Sequence, residues 1–210
     1  MDHKECPGPF RQAQPIILAS KSPRRRDLLE SLGLDIVVAP SSLKEPGRMG
    51  GEAPKEYALR LARLKATNVR EREGEVGWIL AADTIVVLDD EIIGKPKGPK
   101  DAIEMLKSLA GRMHVVHTGC CLLGPGPPQG PFIEEEFVVT SKVWLSRPSD
   151  RLIEAYVATG EPLDKAGSYA IQGLGAFMVD RIEGSYTNVV GLPLREIVDL
   201  FLKHRIVTPR

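Results

Sequence analysis

The chain has 210 residues, of which 42% are hydrophobic and 27% charged, and its 28 basic and 28 acidic residues give a formal net charge of zero. This length suits one domain or two closely packed lobes with a sizeable core. The composition is that of an ordinary soluble protein, and the lack of a basic excess argues against a nucleic-acid partner. No segment approaches the roughly 18 consecutive apolar residues of a membrane span, which argues against a membrane protein.

The cysteines and the first residues of the chain bear on its compartment. The chain has three cysteines, Cys6, Cys120 and Cys121, and an odd number with an adjacent pair matches neither a disulfide framework nor a zinc site. The first residues lack the apolar run of a secretory signal. We therefore predict a reduced, cytoplasmic protein with a flexible leader over residues 1–14 and one domain over residues 15–210.

The first half of the chain alternates apolar runs with amphipathic segments. A Ser-Pro pair predicts the first helix, with Ser22 at the N-cap and Pro23 as its first residue, and Gly33 ends it. Pro54 opens a second helix. Continuous apolar or β-branched runs predict strands at 15–19, 34–39, 78–88 and 91–93.

The second half predicts helices at 101–109, from Ser149 to Gly160, and at 193–204, with strands at 113–123, 132–145 and 176–182. Residues 124–131 form a loop by composition, with no assigned role. Strands and helices alternate, but hairpins interrupt them. This order predicts an α/β fold in which helices flank a mixed sheet.

The turn from Ser20 to Arg25 follows a buried strand and opens a helix. The first N–H groups of a helix have no intrahelical partner and carry partial positive charge, so such an end suits a phosphate. The guanidinium groups of Arg24, Arg25 and Arg26 add bidentate donors. The alternative is an ordinary capped helix with solvated arginines. The segment has neither a Walker loop nor a dinucleotide fingerprint.

Asp83 interrupts an otherwise apolar strand. A carboxylate in a buried run is costly unless it is paired or bound to a metal, which makes Asp83 a candidate metal ligand or general base. The alternative is a hydrogen-bonded turn residue at a break in the strand. His114 and His117 resemble a ligand pair, but residues three apart on a strand point to opposite faces, and we expect no metal there.

Three further polar residues lie where a ligand could reach them. Lys95 is held between glycine and proline on a turn, and Lys65 stands beside the buried face of a helix; both could instead be ordinary surface lysines. Gln172 lies among small residues, and an amide can read a base edge with both a donor and an acceptor. Its alternative is an ordinary glycine turn.

Taken together, these segments resemble the Maf family of nucleotide pyrophosphatases, from about Ile16 to Leu200. Seven pieces carry the resemblance in order: LASKSPRR at 18–25, AADTIV at 81–86, GKP at 94–96, GR at 111–112 with TG at 118–119, DKAGSY at 164–169, QG at 172–173 and GSYTNVVGLP at 184–193. Each piece is weak alone, but seven in the right order make a chance match very improbable.

The resemblance implies a fold related to the inosine-triphosphate pyrophosphatases, with two lobes around a deep cleft. It also implies hydrolysis of nucleoside triphosphates to the monophosphate and pyrophosphate with Mg²⁺ or Mn²⁺. Carried over by motif, Asp83 is the catalytic carboxylate and, with Glu45, a metal ligand. The polar positions around the triphosphate are Ser22, Arg25, Glu45, Lys65 and Lys95. A homodimer is a further family-level expectation.

Three residues bear on the preferred base. Arg24, Thr84 and Gln172 match the subfamily that favours dTTP and UTP, whereas the subfamily that favours 7-methyl-GTP often has Trp and Glu at the first and last of these positions. A neutral amide can pair with the O4 and N3–H edge of uracil or thymine. The alternatives left open are a preference for 7-methyl-GTP and a nucleotide-binding regulatory role in cell-division arrest. Removal of modified pyrimidine nucleotides is a further family-level suggestion.

Overall fold

The protein is described by a computed structural model, which covers residues 8–74, 77–126 and 130–210. The strands are β1 Phe10–Gln12, β2 Ile16–Leu18, β3 Ile36–Val38, β4 Trp78–Leu88, β5 Glu91–Ile93, β6 Met113–Gly124, β7 Ile133–Leu145, β8 Val179–Glu183 and β9 Val207–Pro209. The α-helices are α1 Pro23–Glu30, α2 Pro54–Glu73, α3 Pro99–Leu109, α4 Asp150–Ala158, α5 Tyr186–Val190 and α6 Leu194–Lys203. Short 3-10 helices lie at Glu161–Asp164, Ala166–Ser168 and Leu174–Met178.

Seven of the strands form one twisted sheet in the order β3-β2-β4-β6-β7-β8, with β5 beside β4. β2 is parallel to both β3 and β4. The ladders of β4 with β5 and β6, of β6 with β7 and of β7 with β8 are antiparallel. The predicted mixed α/β sheet is therefore confirmed.

The central strand β4 has one continuous edge and one divided edge. On the first edge it pairs with β6 from Ile79 to Val87. On the second edge its start, Trp78–Leu80, pairs with β2, and its end, Val86–Leu88, pairs with β5. No strand of the described chain pairs with residues 81–85 on that edge. This gap in the sheet is where the cleft opens.

Two apolar cores occupy opposite ends of β4 on the same face. One gathers Leu18, Leu29, Leu80 and Phe201 beneath α1 and α6. The other gathers buried residues of the end of β4, of α3 and of α4, among them Val86, Leu106 and Ile153. Helix α2 covers the other face of β4, where small residues such as Ala62 and Ala66 let it pack closely. These two cores form the predicted lobes on either side of the gap.

The long strand β4 and the short strand β5 have the predicted bounds, but two other expectations are wrong and one helix was missed. Residues Phe10–Gln12, placed in a flexible leader, form β1 and pair antiparallel with β9; residues 1–7 lie outside the described part. The strand predicted at 176–182 begins only at Val179, because a 3-10 helix occupies Leu174–Met178. Helix α5 was not predicted, because its five residues are too few to show a helical period.

Part of the predicted loop at 124–131 also lies outside the described residues, which omit 127–129. Within the described residues, no helix combines the length and the apolar character that a membrane crossing requires.

Candidate active site

A cleft of about 760 Å³ opens at the gap in the sheet, between the two lobes. Its lining includes every residue that the sequence proposed for a site: Ser22, Arg24, Arg25, Glu45, Lys65, Asp83, Thr84, Lys95 and Gln172. These residues come from segments spread over most of the chain, so their convergence on one cavity is a result of the fold. The cavity lies within the usual size range of ligand sites.

The start of α1 forms one wall of this cleft. Ser22 is at the N-cap and Pro23 is the first helical residue, as predicted, but the Ser22 hydroxyl makes no capping hydrogen bond. The Ser22 N–H instead donates to Ser20 Oγ at 3.2 Å. The hydroxyl of Ser22 is therefore not committed to its own helix, and it lines the cleft together with Arg24.

Asp83, Lys65 and Glu45 meet in the cleft. Lys65 Nζ lies 2.5 Å from Asp83 Oδ1 and 2.7 Å from Glu45 Oε1. Lys65 and Asp83 are mostly buried, with side chains 14% and 11% exposed, whereas Glu45 is half exposed at 52%. One ammonium thus lies between two carboxylates, and the resulting cluster has spare oxygen acceptors open to the cleft.

The position of Asp83 follows from the alternation of β4. Its neighbours Ala81 and Ile85 point to the same face and are buried under α2. Asp83 points to this same face, and there its carboxylate meets Lys65 of α2. β4 continues through Asp83, so the alternative of a turn residue at a strand break is wrong.

Arg25 lies on the other face of β4 and binds protein groups. Its Nε donates to the carbonyl of Gly191 at 2.8 Å, and its Nη1 donates to Ala82 O at 2.8 Å and Ser20 Oγ at 3.0 Å. Its Nη2 donates to Thr84 Oγ1 at 3.0 Å. Burial lowers the pKa of this guanidinium, and the negative charge of Asp83 opposes that shift. Arg25 therefore ties α1, β4 and the turn after α5 into one wall.

Thr84 is also committed to this wall. Its hydroxyl contacts Thr118 Oγ1 at 2.9 Å and donates to Gly191 O at 3.3 Å, besides accepting from Arg25. Thr118 in turn donates to the carbonyl of Asn188, which is fully buried. Asn188 and Thr118 both lie in the quoted motifs, but the sequence does not show that they pack behind the cleft.

The opposite wall carries Lys95 and Gln172. Both are exposed, and the turn at Lys95 is fixed because Gly167 N donates to Gly94 O at 3.1 Å. Lys165, which lies in the quoted motif at 164–169 but was given no role of its own, also lines this wall. Its Nζ lies 2.5 Å from Asp164 Oδ1 and donates to Glu161 O at 2.8 Å. Cationic groups therefore face the cleft from both lobes.

The two histidines behave as the strand geometry predicted. His114 is buried and its Nε2 lies 2.8 Å from Tyr169 Oη. His117 faces the other side of β6, where its Nδ1 lies 2.8 Å from Thr140 Oγ1. Burial lowers the pKa of His114 to about 4, so it is neutral near pH 7. They do not form a metal-binding pair.

Known proteins similar to this chain fit this picture. Residues 15–204 match the family described as Maf-like protein. A "dTTP/UTP pyrophosphatase" of Oleidesulfovibrio alaskensis is 45% identical over 96% of this chain and 90% of its own. One of Nitratidesulfovibrio vulgaris is 48% identical over 93% and 90%.

Among solved structures, a HAM1 protein from Coxiella burnetii is similar with a TM-score of 0.45 and 17% identity, over 65% of this chain and 75% of that one. That likeness is weak, and it supports no statement about chemistry. The family match covers nearly the whole chain, and the two curated relatives are far above the identity at which membership is in doubt. The chain belongs to the Maf family.

Proposed function

We propose that this protein hydrolyses nucleoside triphosphates, with dTTP and UTP preferred, to the monophosphate and pyrophosphate. The observation that carries the proposal is the meeting of Asp83, Lys65 and Glu45 at a cleft whose other groups include several cations. The names of the curated relatives, dTTP/UTP pyrophosphatases, support the same reaction and the same substrates.

The charge pattern of the cleft suits a triphosphate. Arg24 and Lys95 line it from the two lobes, as do Lys65 and Lys165, whose ammonium groups are paired with carboxylates. The start of α1 adds backbone N–H groups and the positive end of a helix dipole. A polyanion held between the two lobes would meet positive charge on both sides, which offsets the charge that builds on phosphate oxygens during the reaction.

Asp83 and Glu45 are the residues that would hold a divalent cation. They fit one, because carboxylates are the hard oxygen ligands of Mg²⁺ and Mn²⁺, and because the two carboxylates already converge on a single positive charge, Lys65 Nζ. Two protein carboxylates are a typical complement for Mg²⁺ when substrate phosphates supply other ligands. When bound, such an ion neutralises phosphate charge and polarises the phosphoryl group.

The protein's own part in the reaction follows from the same cluster. In this proposal Asp83 orients a water molecule at the α-phosphorus and accepts its proton as the P–O bond to pyrophosphate breaks. Lys65 holds the Asp83 carboxylate in place and keeps a positive charge beside the phosphates. Ser22 and Lys95 are proposed to bind phosphate oxygens from the two walls.

Arg25 and Thr84 take a different part in this proposal. Because their polar groups are bound to the protein, we assign them to building the wall behind the phosphates. Arg24 and Gln172, which line the cleft, are left to contact the nucleotide, and the amide of Gln172 would pair with the uracil or thymine edge.

The test is pyrophosphate release from purified protein with dTTP, UTP, CTP, GTP and 7-methyl-GTP, each with Mg²⁺, Mn²⁺ or excess EDTA. We expect dTTP and UTP to turn over fastest, and EDTA to abolish turnover reversibly. Tight nucleotide binding without catalytic release would contradict the enzymatic proposal and favour a regulatory role. A preference for 7-methyl-GTP would contradict the assignment of Gln172.

A further inference from the structure

Two side chains outside the cleft hold the segment that carries Gln172. The backbone N–H of Ala170 donates to Tyr156 Oη at 3.2 Å, and the Tyr156 hydroxyl donates to Glu161 Oε2 at 2.8 Å. On the far side of Gln172, the N–H groups of Leu174 and Gly175 donate to Glu161 Oε1 and Oε2, each at 2.9 Å. The segment is therefore fastened both before and after Gln172 to a single Tyr–Glu pair.

The backbone approaches this pair too closely for side chains. A Cβ on Gly173 would lie 2.3 Å from Glu161 Oε1, and one on Gly175 would lie 2.5 Å from Tyr156 Oη. Gly173 also has a φ of +149°, a conformation that favours glycine. The glycines flanking this turn are thus explained by contact with Glu161 and Tyr156.

Glu161 receives these bonds as a carboxylate. Its burial favours the neutral acid, but the N–H groups of Leu174 and Gly175 and the Tyr156 hydroxyl outweigh that effect, and the pKa of Glu161 falls below its usual value. Hydrogen bonds to an ionised acceptor are roughly twice as strong as neutral ones. The turn is consequently held by charge-assisted bonds.

We propose that Glu161, supported by Tyr156, is a positioning residue for base recognition: it fixes the turn that presents the Gln172 amide to the nucleotide. The inference rests on the proposed function, in which Gln172 reads the base. Glu161 lies outside the lining of the cleft and so acts through the turn. Neither the motif match nor the relatives' names assign it this part.

The need to distinguish uracil from cytosine shows why the position of the turn that carries Gln172 matters. The amide of Gln172 can donate to O4 and accept from N3–H of uracil, but the same amide rotated by half a turn is complementary to the N4 amino group and N3 of cytosine. Rotation of the amide about its own terminal bond leaves the backbone in place, so uracil is selected only where groups of the cleft also hold the amide in one orientation. Gln172 can reach those groups only if the turn that carries it is held in one position. A loosened turn would lower selectivity more than it lowers overall binding.

The experiment compares Glu161→Gln and Tyr156→Phe with the wild-type protein. Dissociation constants are measured by calorimetry for the non-hydrolysable α,β-methylene analogues of UTP and CTP, so that the readout does not require turnover. Both variants should reduce the UTP:CTP affinity ratio. For Glu161→Gln we expect a reduction of about fivefold to tenfold, which is the discrimination that one to two hydrogen bonds provide. Hydrogen exchange at the amides of Leu174 and Gly175 should also accelerate.

Glu154→Gln is the matched control, because Glu154 is an exposed glutamate on α4 and its substitution removes the same charge. It should leave the ratio and the exchange rates unchanged. Tyr156→Phe keeps the aromatic ring in the core and leaves Glu161 in place, so it tests the proposal even if Glu161→Gln folds poorly.

The decisive comparison is made in a Gln172→Ala background. There, Glu161→Gln should cause no further loss of the UTP:CTP ratio, because both residues act through one amide. Four results would each overturn the proposal: an equal weakening of both analogues, an unchanged UTP:CTP ratio in the variants, a wild-type UTP:CTP ratio near one, or a full further loss of that ratio in the Gln172→Ala background. Pyrophosphate release by the wild-type protein is scored separately, so a failure of the proposed reaction is not confused with a failure of this inference.

Discussion

The two faces of β4 carry polar clusters of opposite character. On the face under α2, Asp83 and Glu45 share one ammonium from Lys65, and Glu45 is half exposed. On the other face, Arg25 makes four hydrogen bonds to protein acceptors and Thr84 joins it. The first cluster has acceptor oxygens open to the cleft, whereas the hydrogen-bonding groups of the second are already bound to the protein. Proximity to a cleft therefore does not by itself make a residue a ligand contact.

The largest expected effect is on turnover, in the open cluster. Asp83→Asn should lower kcat by about 1,000-fold, within the range for losing a general base. The free energy of unfolding should change by less than about 1 kcal/mol, because Lys65 keeps Glu45 as a partner and can donate to the new amide. Steady-state kinetics and urea titration give the two numbers.

Asp90→Asn is the control for that variant, since Asp90 is exposed at the β4–β5 turn and has a φ of 65°, which asparagine tolerates. It should leave kcat unchanged. An Asp83→Asn protein that remains fully active would remove Asp83 from the chemistry.

The next effect is on stability, in the closed cluster. Arg25→Ala should lower the free energy of unfolding by about 3 kcal/mol, because it leaves the carbonyls of Ala82 and Gly191 without their guanidinium donor. Arg25→Lys should recover only part of this loss, since one ammonium cannot reach all four acceptors. Chemical denaturation measures both variants.

Arg26→Ala is the matched control, because Arg26 is exposed and its ion pairs with Asp27 at 3.8 Å and Glu30 at 3.6 Å are long. Its stability should stay close to wild type. If Arg25→Ala were as stable as Arg26→Ala yet bound nucleotide far more weakly, Arg25 would belong with the open cluster.

Acid should act on stability through a third buried polar group, His114. Because its folded pKa is lowered to about 4 from 6.5, its neutral form contributes stability above pH 6.5 that is lost as the pH falls towards 4. Over that window wild type should lose about 3 kcal/mol more than His114→Gln, from the pKa difference alone. Equal pH slopes for wild type and His114→Gln would refute the assignment.

The smallest expected effect concerns Thr84. Thr84→Val keeps the shape but removes a hydroxyl that binds Arg25 and Thr118, and it should cost about 1 kcal/mol of stability. Thr208→Val, at an exposed position of β9, is the control. A change in UTP:GTP selectivity without loss of stability would instead show that Thr84 meets the nucleotide.

The sequence predicted those parts that depend on local pattern. The apolar run of Trp78–Leu88 gave both ends of β4, and Asp83 stood out because it is the one charged residue in that run. Long-range pairing left no such pattern. β1 and β9 lie at opposite ends of the described chain and are three residues each, so neither was found.

The site divides in the same way. Motifs brought Arg24 and Arg25 forward together, but only the three-dimensional packing separates a residue facing the cleft from one bound to Ala82, Thr84 and Gly191. Glu161 carries no local sign of its part, because its partners Leu174 and Gly175 contribute only backbone N–H groups. A sequence pattern does not reveal a side chain whose partners are the backbone groups of another segment.

The divided edge of β4 has a consequence for motion. β4 pairs with β6 without a break from Ile79 to Val87, beneath the cleft. The two lobes are therefore joined by a continuous pair of strands and not by a loop hinge. Closure around a nucleotide would then change the twist of these two strands, with larger displacements at the edges of the cleft. Amides along the β4–β6 ladder should exchange slowest with or without nucleotide, while those of 41–51 and 170–175 should report its arrival.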